Sequence, residues 1–246
     1  ISSCAMRSAF VLVTALIAVL VTAGATSAQV TAFVGGRLID GTGRVVENGT
    51  LVIDGGRIVA AGPRTATTVP SGATLVDMKG KTLLPGLVNA HGHVAATTGL
   101  RSDPASYTRD NLTRQLRTYA QYGVTTVFSL GDDQPLGFEM RNEQTSGPLD
   151  RARLFVAGAV IAGTTAEEAR AMAAKVADMK PDLLKIRVDD NLGTGRKMPE
   201  PAWRAVMELA HQRNLKVAVH IYSLADAVAT LAGGADFIAH SVRDVP

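Results

Sequence analysis

The hydrophobic positions of the chain follow two different patterns, which meet near Thr82. From Val30 to Thr82, short β-branched segments alternate with glycine turns, and the Asp54-Gly55 step between apolar segments is typical of a hairpin. About fifty residues of this kind make only part of a small sheet domain. We therefore predict the N-terminal portion of a β-sandwich over residues 29–82.

From residue 83 onward, near-continuous apolar strands alternate with segments of helical period. After a first strand that ends at His91 and His93, strands are predicted over 124–130, 154–160, 183–188, 216–221 and 237–242, and helices over 109–122, 165–180, 201–214 and from Ser223 to Gly233. This alternation indicates an α/β fold with a parallel sheet covered by helices. Polar residues end several different strands, which favours a partial TIM (β/α)8 barrel over residues 83–246, with about six of eight strands, over a doubly wound sheet.

The first barrel strand ends in a pair of histidines, His91 and His93, spaced i, i+2. Alternate residues on a strand point to the same face, so both imidazoles should emerge together. Two converging neutral imidazoles are good ligands for a transition metal. Such a pair also occurs by chance in exposed loops, so a metal site requires further ligands.

Two later strands also end in histidine, at His220 and His240. Each alone is more typical of a core histidine with a satisfied hydrogen bond. His211 lies near a helix C-terminus, where a solvated histidine is expected. Histidines at corresponding places in successive strand–helix units favour a common metal site.

A single lysine, Lys185, interrupts the apolar strand 183–188. A lone lysine of this kind usually extends its ammonium to solvent. In a buried site its pKa would fall, and the neutral amine could take up carbon dioxide to form an anionic carbamate that bridges two metals. The spacing leaves both interpretations open.

Composition narrows the range of functions. Cys4 is the only cysteine and precedes Met6, which excludes a disulfide framework and a cysteine zinc site. The net charge is only +3 and aromatic residues make up 4% of the chain, so we expect no nucleic-acid partner. Homo-oligomerisation stays open.

The first 28 residues resemble a secretory signal peptide. Residues 1–5 are predicted to lie upstream of a start at Met6, and Arg7 is followed by an apolar run and by small residues up to Ala28. The run is short for a membrane anchor. We therefore predict cleavage after Ala28, no stable membrane span afterwards, and a periplasmic or secreted protein.

The segment Pro85-Gly86-Leu87-Val88-Asn89-Ala90-His91-Gly92-His93 resembles the first-strand signature of the amidohydrolase superfamily. The segments that contain Lys185, His220 and His240 resemble its later strands. The similarity is to the imidazolonepropionase-like and prolidase-like branch, which includes Xaa-Pro and Xaa-Arg/Lys dipeptidase-type enzymes.

This resemblance implies a site with two divalent metal ions, with zinc favoured. His91 and His93 would bind one ion and His220 and His240 the other, while Lys185 would bridge them as its carbamate. Lys185 and His240 would be catalytic, and a hydroxide between the metals would attack an amide. The implied substrate is a dipeptide, an N-acyl amino acid or a cyclic amide. Tyr222 is predicted either to hydrogen-bond substrate or to pack at the barrel rim.

Other charged residues receive less specific predictions. Asp132, Asp133 and Asp244 follow strands, and we expect solvated loop carboxylates. Arg187 and Arg196 could pair with a substrate carboxylate, but surface or structural pairing is favoured.

Two alternatives to this binuclear enzyme stay open. In a mononuclear deaminase or cyclic-amide hydrolase of the same superfamily, Lys185 would be an ordinary strand lysine. A non-catalytic protein could keep the barrel face for binding. The chain stops after the sixth strand, without the eighth-strand aspartate of the family, so we expect a fragment of a longer protein that is inactive alone.

Overall fold

The computed structural model describes residues 29–145, 149–190 and 193–246, so the predicted signal peptide lies outside the described residues. The chain divides into two compact units, one that ends at Leu84 and one that spans Pro85–Pro246. None of the helices in the described ranges is long and apolar enough to cross a membrane.

The first unit is a five-stranded sheet. Its strands are β1 (Thr31–Ile39), β2 (Val45–Asp54), β3 (Arg57–Pro63), β4 (Thr74–Asp77) and β5 (Thr82–Leu83). The order is β3-β2-β1-β4, and β5 also pairs with β1. The predicted hairpin joins β2 to β3 through Gly55 and Gly56, which both have positive φ, with Asp54 opposite Arg57. The hairpin was predictable because glycine adopts the left-handed region of φ and ψ, which this turn requires, without steric cost.

The second unit alternates strands with helices. Its strands are β6 (Leu87–Gly92), β7 (Thr97–Thr98), β8 (Arg101–Ser102), β9 (Val124–Ser129), β10 (Arg153–Val156), β11 (Leu184–Arg187), β12 (Val217–His220) and β13 (Phe237–Ile238). Its helices are α1 (Arg109–Gln121), α2 (Pro135–Glu143), α3 (Ala166–Asp178), α4 (Glu200–Gln212) and α5 (Leu224–Ala232).

Six of these strands form the wall of a partial (β/α)8 barrel. Two groups of parallel strands, β10-β9-β6 and β11-β12-β13, make up the wall. The groups are linked where Ile161 bridges Ile186 and where the Asp182 amide donates to the Val156 carbonyl at 2.9 Å. The predicted fold class is thus confirmed.

The four predicted helices begin and end within two residues of the predicted positions. Thr108 caps α1, which buries Leu112 and Leu116 and ends before Gly123, a residue with φ of +80°. Thr165 and Glu168 form a complete capping box at the start of α3. The buried faces of α3 and α4 pack with strands β11 and β12 in the largest hydrophobic cluster. This cluster fixes β11 and β12, the strands that carry Lys185 and His220.

Some elements differ from the prediction. Helix α2 and the short β7–β8 hairpin were not predicted, and β10 and β13 are shorter than expected. Helix α2 contains Gly137, which weakens its helical pattern. Glycine is needed there because a Cβ atom would lie 2.3 Å from the Tyr107 hydroxyl. Since β13 ends at Ile238, His240 lies two residues beyond the strand.

Candidate metal centre

Four imidazoles from three barrel strands gather at the carboxyl ends of those strands. His91 and His93 come from the end of β6, His220 ends β12, and His240 follows β13. Ring centroids are 5.2 Å apart for His91 and His93, 4.6 Å for His91 and His240, and 4.2 Å for His220 and His240. We call these four residues the imidazole cluster. The structure therefore brings together the four histidines that the sequence singled out.

Backbone carbonyls fix the protons of the first pair. His91 Nδ1 lies 2.8 Å from the Ala239 carbonyl oxygen, and His93 Nδ1 lies 3.3 Å from that of Gly131. A carbonyl oxygen only accepts, so each Nδ1 carries the hydrogen and donates it. Each Nε2 then keeps its lone pair, which is the arrangement of a metal-binding histidine held by an outer hydrogen bond.

The two lone pairs face one another. The Nε2 atoms of His91 and His93 are 3.3 Å apart. Two nitrogen ligands about 2.0–2.1 Å from one tetrahedral zinc ion are themselves about 3.3–3.4 Å apart. Two facing lone pairs repel unless a cation lies between them, so the geometry of this pair fits a divalent metal.

Lys185 lies beside this pair and is almost completely buried, with 2% of its surface exposed. Its Nζ atom is 3.5 Å from His91 Nε2. Burial, and next the positive charge of Arg187, lower the pKa of Lys185 to about 8. Of the two interpretations that the sequence left open for Lys185, an ammonium extended to solvent does not fit this burial.

The other ring pair is held in the neutral form that binds metals. Burial is the main cause that lowers the pKa of His91, His220 and His240. The pKa of His240 falls to about 4, and the nearby His220 is the second cause of that shift. His211 lies apart from the cluster, exposed and 3.3 Å from Asp236. Its predicted role as a solvated histidine agrees with this position.

Asp189 contacts the cluster and was not singled out from the sequence. Its Oδ2 atom is 3.0 Å from His220 Nε2, and only 7% of the residue is exposed. A buried carboxylate accepts the Nε2 hydrogen, which leaves Nδ1 as the free lone-pair nitrogen of His220. The available signal was the place of Asp189 just after β11, next to the strand that ends in His220.

A cavity of about 190 Å³ opens among these side chains. It is lined by His93, Leu130, Asp132, Val160, Lys185, Arg187, His220 and His240. Within residues 29–145, 149–190 and 193–246, no three His, Cys, Asp or Glu side chains enclose an ion position by themselves.

Three other predicted residues occupy different environments. Tyr222 packs with its ring 5.8 Å from the guanidinium of Arg243 and is not among the residues that line the cavity. Asp132 lines the cavity but is exposed, and Asp244 is exposed and accepts a hydrogen bond from the Leu224 amide. These positions favour packing for Tyr222 and solvated roles for the two aspartates.

The prediction of a solvated loop is wrong for Asp133, which is 6% exposed. Its Oδ2 atom accepts hydrogen bonds from the Ala157 and Gly158 amides at 2.9 and 3.1 Å. Desolvation raises the pKa of Asp133 to about 7. Asp133 ties the end of β9 to the end of β10, because the amides that follow β10 require a buried acceptor.

The expected pairing is also wrong for Arg187. Arg187 lines the cavity, and its Nε atom is buried without a hydrogen-bond partner. None of the ion pairs formed by the described residues includes Arg187. Arg196 is exposed, as surface pairing or solvation requires.

A barrel wall with histidines gathered at the carboxyl ends of its strands places the chain in the class of (β/α)8 proteins with a histidine-rich site. The chain belongs to the amidohydrolase family, whose model matches residues 82–245. A comparison with curated proteins found no match.

Several solved structures share this fold. A Xaa-Pro dipeptidase with bound methionine in its active site has a TM-score of 0.72 and 22% identity over 85% of the chain. A prolidase complexed with N-methylphosphonate-L-proline has a TM-score of 0.70 and 20% identity over 84% of the chain. A molinate hydrolase has a TM-score of 0.73 and 22% identity over 85% of the chain. The chain spans 57–60% of the length of these three proteins.

Proposed function

We propose that this chain contributes the metal centre of a metal-dependent hydrolase that cleaves C–N bonds in small amides or peptides. The observation that carries the proposal is the pair of facing Nε2 atoms on His91 and His93, 3.3 Å apart, with both ring hydrogens committed to backbone carbonyls. Two facing nitrogen lone pairs with no hydrogen between them are suited to binding a metal cation. Membership of the amidohydrolase family supports the same conclusion.

The five proposed ligands form two groups around Lys185. His91 and His93 would hold one divalent ion, and His220 and His240 would hold a second, with zinc as the favoured metal. When bound, divalent ions activate water at neutral pH and polarise a carbonyl oxygen. His240 lines the cavity, and its low pKa keeps its imidazole neutral and able to bind metal.

Lys185 would link the two groups as a carbamate. Its pKa of about 8 leaves a fraction of the amine neutral near pH 7.5. The neutral Nζ atom attacks the carbon of carbon dioxide, an N–C bond forms and one proton leaves to solvent. The product is anionic, so it replaces a buried cation with a ligand for two metals.

The substrate we propose is a dipeptide, an N-acyl amino acid or a cyclic amide. The similar structures include a Xaa-Pro dipeptidase with bound methionine and a prolidase complexed with N-methylphosphonate-L-proline. The molinate hydrolase extends the same fold to another substrate. The cavity of about 190 Å³ suits small molecules of this kind.

The test is the metal content and amide hydrolysis of the protein that contains this chain. We expect about two metal equivalents, hydrolysis within a panel of dipeptides and N-acyl amino acids, and loss of both on Lys185→Ala or His91→Asn. His211→Asn is the matched control, because His211 is exposed and apart from the cluster. One equivalent that survives Lys185→Ala would favour a mononuclear enzyme, and a folded protein with neither metal nor hydrolysis would contradict the proposal.

We also propose that the protein is exported. The support is the pattern of Arg7, an apolar run and small residues up to Ala28. N-terminal sequencing of the protein recovered from the periplasm or the medium should begin at Gln29. Recovery of an uncleaved N-terminus would contradict export by cleavage at this site.

A further inference from the structure

We propose that Arg187 forms an anion subsite in the cavity and selects substrates that carry a carboxylate next to the amide that is cleaved. The inference rests on the proposed function, because the same cavity would hold the substrate amide. It goes further by assigning a specificity-determining residue and by separating acidic substrates from neutral amides.

The first observation is that Arg187 has no anionic partner among the described residues. Its Nε atom is buried and makes no hydrogen bond. The buried Nε of Arg141 also lacks a partner, but its Nη1 atom pairs with Asp182 at 2.7 Å. Arg187 makes no such ion pair. A half-buried guanidinium without a counter-charge is costly unless a ligand supplies one.

The second observation is where this cation lies. Lys185 and Arg187 alternate on β11, so their side chains point to the same face, and both line the cavity. Two residues along a strand advance the chain by roughly 6–7 Å. An amide at the imidazole cluster and a carboxylate at Arg187 are therefore at a spacing that one small molecule can span.

The third observation is the charge of the cavity. In the metal-free protein without the carbamate, Lys185 and Arg187 contribute cationic groups, whereas Asp132 is the one acidic side chain among the described residues that line the cavity. The guanidinium fork matches a carboxylate in two parallel hydrogen bonds.

The experiment compares a matched pair of probes, N-acetylglycine and N-acetylglycinamide, which differ by a carboxylate and a neutral amide. Binding is measured by calorimetry on the protein that contains this chain after metal removal, so that a metal ion cannot capture the carboxylate. We expect the acid to bind at least about tenfold more tightly than the amide. Arg187→Met should remove this preference, and Arg187→Lys should retain part of it.

Arg196→Met is the matched control, because it removes one exposed positive charge from the segment between β11 and α4. It should leave the preference unchanged. Equal binding of both probes to the wild-type protein would overturn the proposal, and this comparison needs no variant. The proposal would also be overturned if Arg187→Met kept the full preference for N-acetylglycine, or if Lys185→Met lost this preference while Arg187→Met kept it.

The two proposals fail in different ways. A metal-free protein that prefers N-acetylglycine through Arg187, but hydrolyses no amide when metal is restored, would keep the anion subsite and contradict the hydrolase. A metal-loaded enzyme that hydrolyses acidic and neutral amides with equal kcat/KM, both unchanged by Arg187→Met, would keep the hydrolase and contradict the subsite.

Discussion

Asp189 holds His220 from outside the cavity, with Oδ2 3.0 Å from Nε2, so the other ring nitrogen of His220 is the one available to a ligand. This relationship predicts that Asp189 controls metal affinity without binding metal. Loss of an outer partner of a metal-binding histidine typically weakens metal affinity about 10–100-fold. We expect Asp189→Ala to weaken metal affinity within this range. Asp189→Asn should weaken it less, because the amide oxygen of asparagine can still accept the hydrogen.

The measurement for this prediction is competition for zinc between the protein and a chelator. Asp190→Asn is the control, because Asp190 is the exposed neighbour in sequence. If Asp189→Ala bound zinc as tightly as the wild-type protein, Asp189 would have no orienting role.

Gly92 separates the two histidines of β6 and is predicted to be essential for their position. A Cβ atom on this buried residue would lie 2.8 Å from Val127 Cγ1, and Val127 is fully buried on β9. Gly92→Ala must therefore push β6 away from β9. We expect it to lower the free energy of unfolding by about 1–3 kcal/mol and to weaken metal binding.

Gly195→Ala is the control for this glycine, since a Cβ atom there would meet only ordinary contacts. Denaturant unfolding and chelator competition measure the two effects. Wild-type stability and metal affinity in Gly92→Ala would show that the strand tolerates the added methyl group.

The raised pKa of Asp133 predicts that the free energy of unfolding falls as the pH rises from about 4 to about 7. Its pKa is raised from 3.8 to about 7 in the folded protein, so the folded state binds this proton more tightly than the unfolded state does. Between these pH values, deprotonation in the unfolded chain favours unfolding. The contribution is fully present near pH 4 and lost above about pH 7, with a size on the order of a few kcal/mol.

Asp133→Asn tests this pH dependence because asparagine resembles the protonated aspartic acid. Its oxygen can accept from the Ala157 and Gly158 amides, as the Oδ2 atom of Asp133 does. Urea unfolding at pH 5 and pH 8 should show a smaller loss of stability in Asp133→Asn than in the wild-type protein. Asp132→Asn, an exposed neighbour, should keep the wild-type slope, and an unchanged slope in Asp133→Asn would contradict the assignment.

The strand–helix alternation and the histidines could be predicted from local sequence. Each of His91, His93, His220 and His240 ends or follows an apolar strand, and parallel strands bring such ends to one edge. Caps such as Thr165 with Glu168 act within four residues, so the start of α3 was also visible in the sequence.

The remaining features depend on contacts between distant residues. Position 137 in α2 requires glycine because the Tyr107 hydroxyl occupies the space of a Cβ atom. Asp133 is buried because the amides after β10 need an acceptor. The pairing of Asp189 with His220 and the absence of an ion pair at Arg187 depend on how β11 and β12 align. A local pattern does not carry this information, since it describes one element at a time.

The hydrogen bond from His91 Nδ1 to the Ala239 carbonyl joins residues 148 positions apart. It connects the first strand of the barrel wall to the segment after the sixth, so it closes nearly the whole second unit into one loop. Closing a loop of this length costs entropy that rises with the logarithm of its length, and contacts of such long range form late in folding. The hydrogen bond between His91 and Ala239 therefore acts as a non-covalent cross-link between the two ends of the wall. Amide hydrogen exchange in β6 and β13 should report whether that cross-link is closed.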